Sequence, residues 1–152
     1  MRKNEAVERL LWSIAFPGFG QLLNGKLLKG ALFVALEFLI NMYSHLNLAI
    51  IHSFRGEIQG AIQEIDYQWL LFYPCVYLFA IWDAYRDAGG GTRAFAFLPF
   101  VCSAYLGTVG VVFSASLKVM GVLLGPVWLP ILFLWIGGAV GVALRLVIHR
   151  LV

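Results

Sequence analysis

Charge is scarce in this chain: Asp, Glu, Lys and Arg make up 12% of its 152 residues, about half the share usual in soluble domains. So little charge cannot cover a water-facing surface, and the 61% of hydrophobic residues would leave apolar patches that drive association. A bilayer removes the conflict, because the outer surface then faces lipid. Cysteine is scarce too. Cys75 and Cys102 lie far apart in apolar runs, without metal-ligand spacing, and read as small buried hydrophobes. His45 and His52 are a poor metal site without further ligands. No nucleophile–base pair, metal cluster or cofactor motif stands out, so no cofactor and no enzymatic centre are expected. The apolar run after Met1-Arg2-Lys3 lacks a small-residue cleavage site, and the N-terminus is expected to be retained.

The net charge of +3 does not point to nucleic acid, because the basic residues flank apolar segments instead of forming a stripe interleaved with aromatics. A spanning helix needs about 20 mostly apolar residues. Segments 27–46, 68–84, 94–116 and 119–147 meet or approach that length. The second is short but has Trp69, Tyr73, Trp82 and Tyr85 near its ends as interfacial anchors; the fourth carries Pro126 and Pro130. With both termini cytoplasmic, all of the 11 basic residues except Arg55 and Lys118 fall inside, as the positive-inside rule requires. The expected fold is therefore all-α: a single polytopic helix bundle over residues 1–152 with four transmembrane helices, in the cell membrane.

Two further helices are expected outside the spans. In the outer loop, Phe54, Ile58, Ala61, Ile62 and Ile65 recur at helical spacing opposite a polar face, which predicts a short amphipathic helix on the outer leaflet. In the segment 1–26, residues 5–16 predict a helix lying at the inner interface, with Leu10, Trp12, Ile14 and Phe16 dipping into lipid. Pro17, Gly18, Gly20, Gln21 and Gly25 would then form an elbow leading into the first span, with Lys26 and Lys29 reaching the headgroups. Gly20 to Lys26 also matches most of a phosphate-binding loop. Leu27 stands where the magnesium-binding hydroxyl belongs, and no hydrophobic strand precedes it.

Pro17-Gly18-x-Gly20-Gln21, followed by Gly25 and Gly30 at five-residue steps, resembles the first helix of TM2-domain and related small bacterial membrane proteins. Trp82-Asp83-x-x-Arg86 resembles the acidic–basic end of that domain's second helix. The likeness covers about residues 13–87 and implies a membrane helix pair; it says little about activity. The chain differs in its long loop between the two helices and in its two additional C-terminal spans.

Glu37 falls near the middle of the first span, with Asn41 one turn later on the same face. A carboxylate at that depth costs at least about 2.5 kcal/mol on insertion scales, so it should face other helices. Asn41, Tyr77, Ser103 or Tyr105 are the expected partners. Asp83 and Arg86 are spaced to form an interfacial ion pair. Gly107, Gly110, Gly121-x-x-x-Gly125 and Gly137-x-x-x-Gly141 mark close helix contacts. These features together suggest a non-enzymatic accessory, assembly or regulatory protein whose partners are the lipid bilayer and another membrane protein or a second copy. The alternative is a small transporter or channel subunit using Glu37 as a proton or solute site.

Overall fold

The computed structural model describes residues 2–151, and the chain over them is mainly helical. Helix α1 (Arg2–Ala15) is followed by the short α2 (Phe19–Leu23) and the apolar α3 (Leu27–Ser44). Next come α4 (Leu46–Phe54), α5 (Ile58–Glu64), α6 (Tyr67–Leu70) and α7 (Tyr73–Asp87). The C-terminal part consists of α8 (Leu98–Phe113), a tight hairpin of β1 (Lys118–Val119) and β2 (Val122–Leu123), and α9 (Gly125–Leu151). By length and composition α3 and α9 can cross a membrane; α8 is apolar but shorter, at 16 residues.

Several boundaries differ from those expected. Segment 68–84 is not one helix: the chain breaks at Leu71 and Phe72 before Pro74, whose missing N–H is harmless in the first turn of α7. Asp66 caps α6 by accepting from the backbone N–H groups of Gln68 and Trp69. Segment 119–147 begins as the β-hairpin, so Gly121 is a positive-φ turn residue, Gly125 opens α9 at positive φ, and the two share no helix face. Of its two prolines, Pro126 occupies the first turn of α9 and Pro130 its interior.

The outer loop is not a single surface helix. It folds as α4 and α5 around a turn at Gly56, and these helices bury Ala49, Ala61 and Ile65 with Val111 of α8 and Val127 of α9. The Trp128 indole donates to Ser53 O at 3.3 Å and its ring lies 4.7 Å from that of Phe54. Apolar periodicity here marks a packed cap over the helix ends.

A helix forms where residues 5–16 predict one, and it runs alongside α7 in the opposite sense. The Tyr77 hydroxyl donates to Ile14 O at 2.7 Å. Further along α7, Ala84 lies beside the backbone of Arg9, with Gly20 between them. The chain reverses at Pro17-Gly18, and α2 comes back along α7, so α1 and α2 form a helical hairpin seated on it. Leu11, Trp12 and Ile14 are exposed, whereas Ala6 and Ser13 are buried.

Candidate functional site

Helix α7 collects the polar side chains of the N-terminal half in two clusters. At its C-terminal end Asp83 and Asp87, one turn apart, face α3. Lys29 Nζ donates to Asp83 Oδ1 and to Asp87 Oδ2, both at 2.9 Å. Hydrogen bonds between ionised groups are about twice as strong as neutral ones. The hairpin joins the same cluster. Gln21 Nε2 donates to Ala80 O at 2.8 Å and to Asp83 Oδ2 at 3.3 Å, and Asn24 Nδ2 donates to Ala84 O at 2.8 Å. Asp83 and Gln21 are buried, and Gln21 Oε1 has no partner.

Arg86, the expected partner of Asp83, is secondary to Lys29. Its guanidinium is 3.5 Å from Asp83 Oδ1, an oxygen that Lys29 already holds more closely, and its side chain is 55% exposed. Lys29, expected to reach headgroups, is held between two carboxylates of α7 while its side chain stays 44% exposed. Its partners lie 54 and 58 positions away in the sequence, a separation that carries no spacing signal.

The second cluster lies at the start of α7. The Tyr73 hydroxyl donates to Glu37 Oε1 at 3.1 Å, while Glu37 Oε2 is buried without a partner. Tyr73 stacks on Tyr77 with ring centroids 5.5 Å apart. None of the four expected partners bonds Glu37. Asn41 donates to Asn47, Tyr77 reaches Ile14 O, Ser103 donates to Leu134 O, and Tyr105 is exposed. The two tyrosines share a face of α7, which left Tyr73 and Tyr77 equally reachable on spacing alone.

At the elbow, Pro17, Gly18, Gly20 and Gln21 are buried. Gly18 has φ 101°, and a Cβ there would stand 2.7 Å from Gly30 O and from Val34 Cγ2. Gly20 is different: it lies within α2, and its missing side chain admits Ser13 and Ala84. Gly25 is an open turn with nothing near its Cβ position. Gly137 and Gly141 lie directly against the α8 backbone, at Cys102–Ser103 and at Leu98–Pro99.

His45 and His52 do not meet. They pair with Glu64 and Glu57 respectively, and among the described residues no three His, Cys, Asp or Glu side chains gather to hold a metal ion. The described residues also enclose hollows. One of about 460 Å³ lies between α7 and α9 near Tyr73 and Tyr77. A groove of about 1120 Å³ opens between α3, α7 and α8, walled by Phe33, Phe79, Trp82, Phe100 and Val101. No protein-family model, curated protein or solved structure matches this chain.

Proposed function

We propose that this chain is a small multi-pass protein of the cell membrane that works by contact, as an accessory, assembly or regulatory partner. The observation carrying this reading is where the polar groups go. Lys29, Asp83, Asp87, Gln21 and Asn24 join one helix to the next, while bulky apolar side chains such as Leu28, Phe38, Tyr105 and Trp135 stand more than half exposed. That inversion suits a lipid-facing surface. Helices α3 and α9 supply two crossings; α6 with α7, and α8 with its flanks, supply two shorter ones. The α1–α2 hairpin then enters the bilayer from the inner side and returns, its turn covered by α3 and α7, a setting in which irregular backbone is tolerated at depth. The likeness of residues 13–87 to TM2-domain proteins agrees with a membrane helix pair at this position.

Two measurements test the reading together. In a background lacking Cys75 and Cys102, an impermeant thiol reagent applied to intact cells should label Gln59→Cys and leave Asn4→Cys unlabelled. Affinity purification from mild detergent should then yield one defined membrane complex. The reverse labelling pattern would overturn the topology, and a chain that purifies alone would remove the accessory role.

One observation supports a second reading, a transporter or channel subunit: Glu37 Oε2 is buried and unpartnered beside Tyr73. Proton or solute flux in proteoliposomes that Glu37→Gln abolishes would establish it.

A further inference from the structure

We propose that the groove between α3, α7 and α8 binds one anionic phospholipid of the bilayer, with the phosphate on Arg86 and the acyl chains along the apolar walls. The inference rests on the membrane reading above and adds a ligand to it. Arg86 is the sole charged side chain lining the groove, and it stands at one end. Along α7 the lining runs from Cys75 through Phe79 and Trp82 to Arg86. Eleven residue steps of a helix span about 16 Å. One leaflet of a hydrocarbon core about 30 Å thick has nearly the same depth. The groove is therefore one leaflet long, with its cation at the headgroup end. Trp82, one turn deeper than Arg86, has the amphipathic ring favoured at that boundary.

Arg86 is free for such a role. Among the described residues its one carboxylate contact is the 3.5 Å approach to Asp83, whose nearer partner is Lys29. A guanidinium has five donors in a fork that matches phosphate oxygens. Lys29 also offsets the charge of Asp87, which leaves less repulsion toward an incoming phosphate.

A transmembrane helix fits the groove less well. Close helix approach in a bilayer needs a continuous face of small residues, and here Cys75, Ala104 and Thr108 stand among bulky walls such as Phe33, Phe79, Trp82 and Phe100. The glycines of α8, Gly107 and Gly110, already face Leu134 and Pro130 of α9. Flexible acyl chains can fill an uneven aromatic wall.

The test is native mass spectrometry of the full chain, reconstituted in phosphatidylcholine vesicles containing phosphatidylglycerol and then extracted in mild detergent. The wild type should retain one phosphatidylglycerol in preference to phosphatidylcholine. Arg86→Gln should lower that preference about tenfold, the size of one lost charge-assisted contact. Ala104→Trp should fill the groove and reduce retention of both lipids, with Val101→Trp in its place if the first variant does not fold. Leu146→Ala, at an exposed position outside the groove lining, should change nothing. Equal phosphatidylglycerol retention by wild type and groove-filled variant would overturn the proposal, as would a polypeptide found in place of lipid. A chain that resists carbonate extraction from membranes yet carries no phosphatidylglycerol defeats this inference alone; release by carbonate defeats the membrane reading as well.

Discussion

The two halves of the molecule join their helices by different means. Around α7, the N-terminal helices are tied by directional polar contacts: Lys29 to Asp83 and Asp87, Gln21 to Ala80, Asn24 to Ala84 and Tyr77 to Ile14. Between α8 and α9, joining rests on missing side chains, since Gly110, Gly137 and Gly141 let one helix lie on the backbone of the other and Gly107 admits the Leu134 side chain. Ser103 to Leu134 O is the one side-chain hydrogen bond between that pair among the described residues. Van der Waals packing at close range depends on many small contacts, none replaceable by a bulkier group. Polar ties fix register through a few atoms and can be partly replaced by chemistry of similar reach. The glycine seam should therefore fail abruptly and the polar cluster by degrees.

The largest expected effect follows at the seam. In Gly137→Leu the new Cβ meets Cys102 O and Ser103 Cα, which are backbone atoms that cannot rotate away. Overpacking a tight core commonly costs about 1–3 kcal/mol, and a clash with a facing backbone should exceed that range. Gly141→Leu, against Leu98 and Pro99, should behave alike. Leu132→Ile, at a 36% exposed position, should leave melting in detergent unchanged. Wild-type melting in both glycine variants would mean that α9 does not depend on this face.

Next in size is Gly18→Val at the turn between α1 and α2. A β-branched residue at φ 101° is strained and would also press on Gly30 O and Val34. Left-handed backbone in such a residue carries about 1–3 kcal/mol, to which the clash adds. Gly20→Val should also destabilise, but through crowding against Ser13 and Ala84, since Gly20 is helical. Gly25→Ala separates the causes. It keeps a positive φ and meets no neighbour, so it should cost only about 1 kcal/mol, as strain.

Much of this was legible in sequence, and the exceptions share a cause. The apolar run at 27–46 became α3 with little change, because a long apolar stretch without breakers has one helical solution. The glycines at 137 and 141 read correctly as a contact face for a similar reason. The helix over residues 5–16 is legible too, and Trp12 and Ile14, expected to dip into lipid, are exposed; its contact face with the protein is what the pattern does not show. Its contact face is small, Ala6 and Ser13, and meets α7 near the fully buried Ala80 and Ala84. Small residues mark close helix contacts, and an amphipathic pattern does not single them out. In the outer loop the apolar periodicity marks a core face, since Ala61 and Ile65 belong to a core. Lys29 was missed because residues 54 or more positions apart carry no spacing signal.

The polar cluster should give a graded response. Asp83→Ala removes the acceptor shared by Lys29, Gln21 and Arg86. Breaking a fully buried pair costs about 3–5 kcal/mol. Lys29 is 44% exposed and keeps Asp87, so about 1–2 kcal/mol is expected here. The double variant Asp83→Asn with Lys29→Gln should cost less than the sum of its singles, because the two share one interaction. Strict additivity would show that the ion pair is not coupled in the folded protein.

The smallest effect separates two neighbouring lysines. The sequence suggests one role for Lys26 and Lys29, reaching the headgroups from the start of α3. The structure divides them: Lys29 lies between two carboxylates at 2.9 Å, and Lys26 is an exposed residue just ahead of the helix. Lys26→Arg should be neutral, since either cation can extend to a phosphate surface. Lys26→Ala should lower stability by no more than about 1 kcal/mol, the scale of one basic residue near an anionic surface. That loss should vanish in a neutral detergent, where no anionic surface remains, whereas the effect of Lys29→Ala should persist because its partners are in the chain. Melting curves of both alanine variants, in anionic vesicles and in neutral detergent, provide the comparison. A Lys26→Ala loss that survived in neutral detergent would mean that Lys26, too, is held by the protein, and the division between an internal and an external lysine would fail.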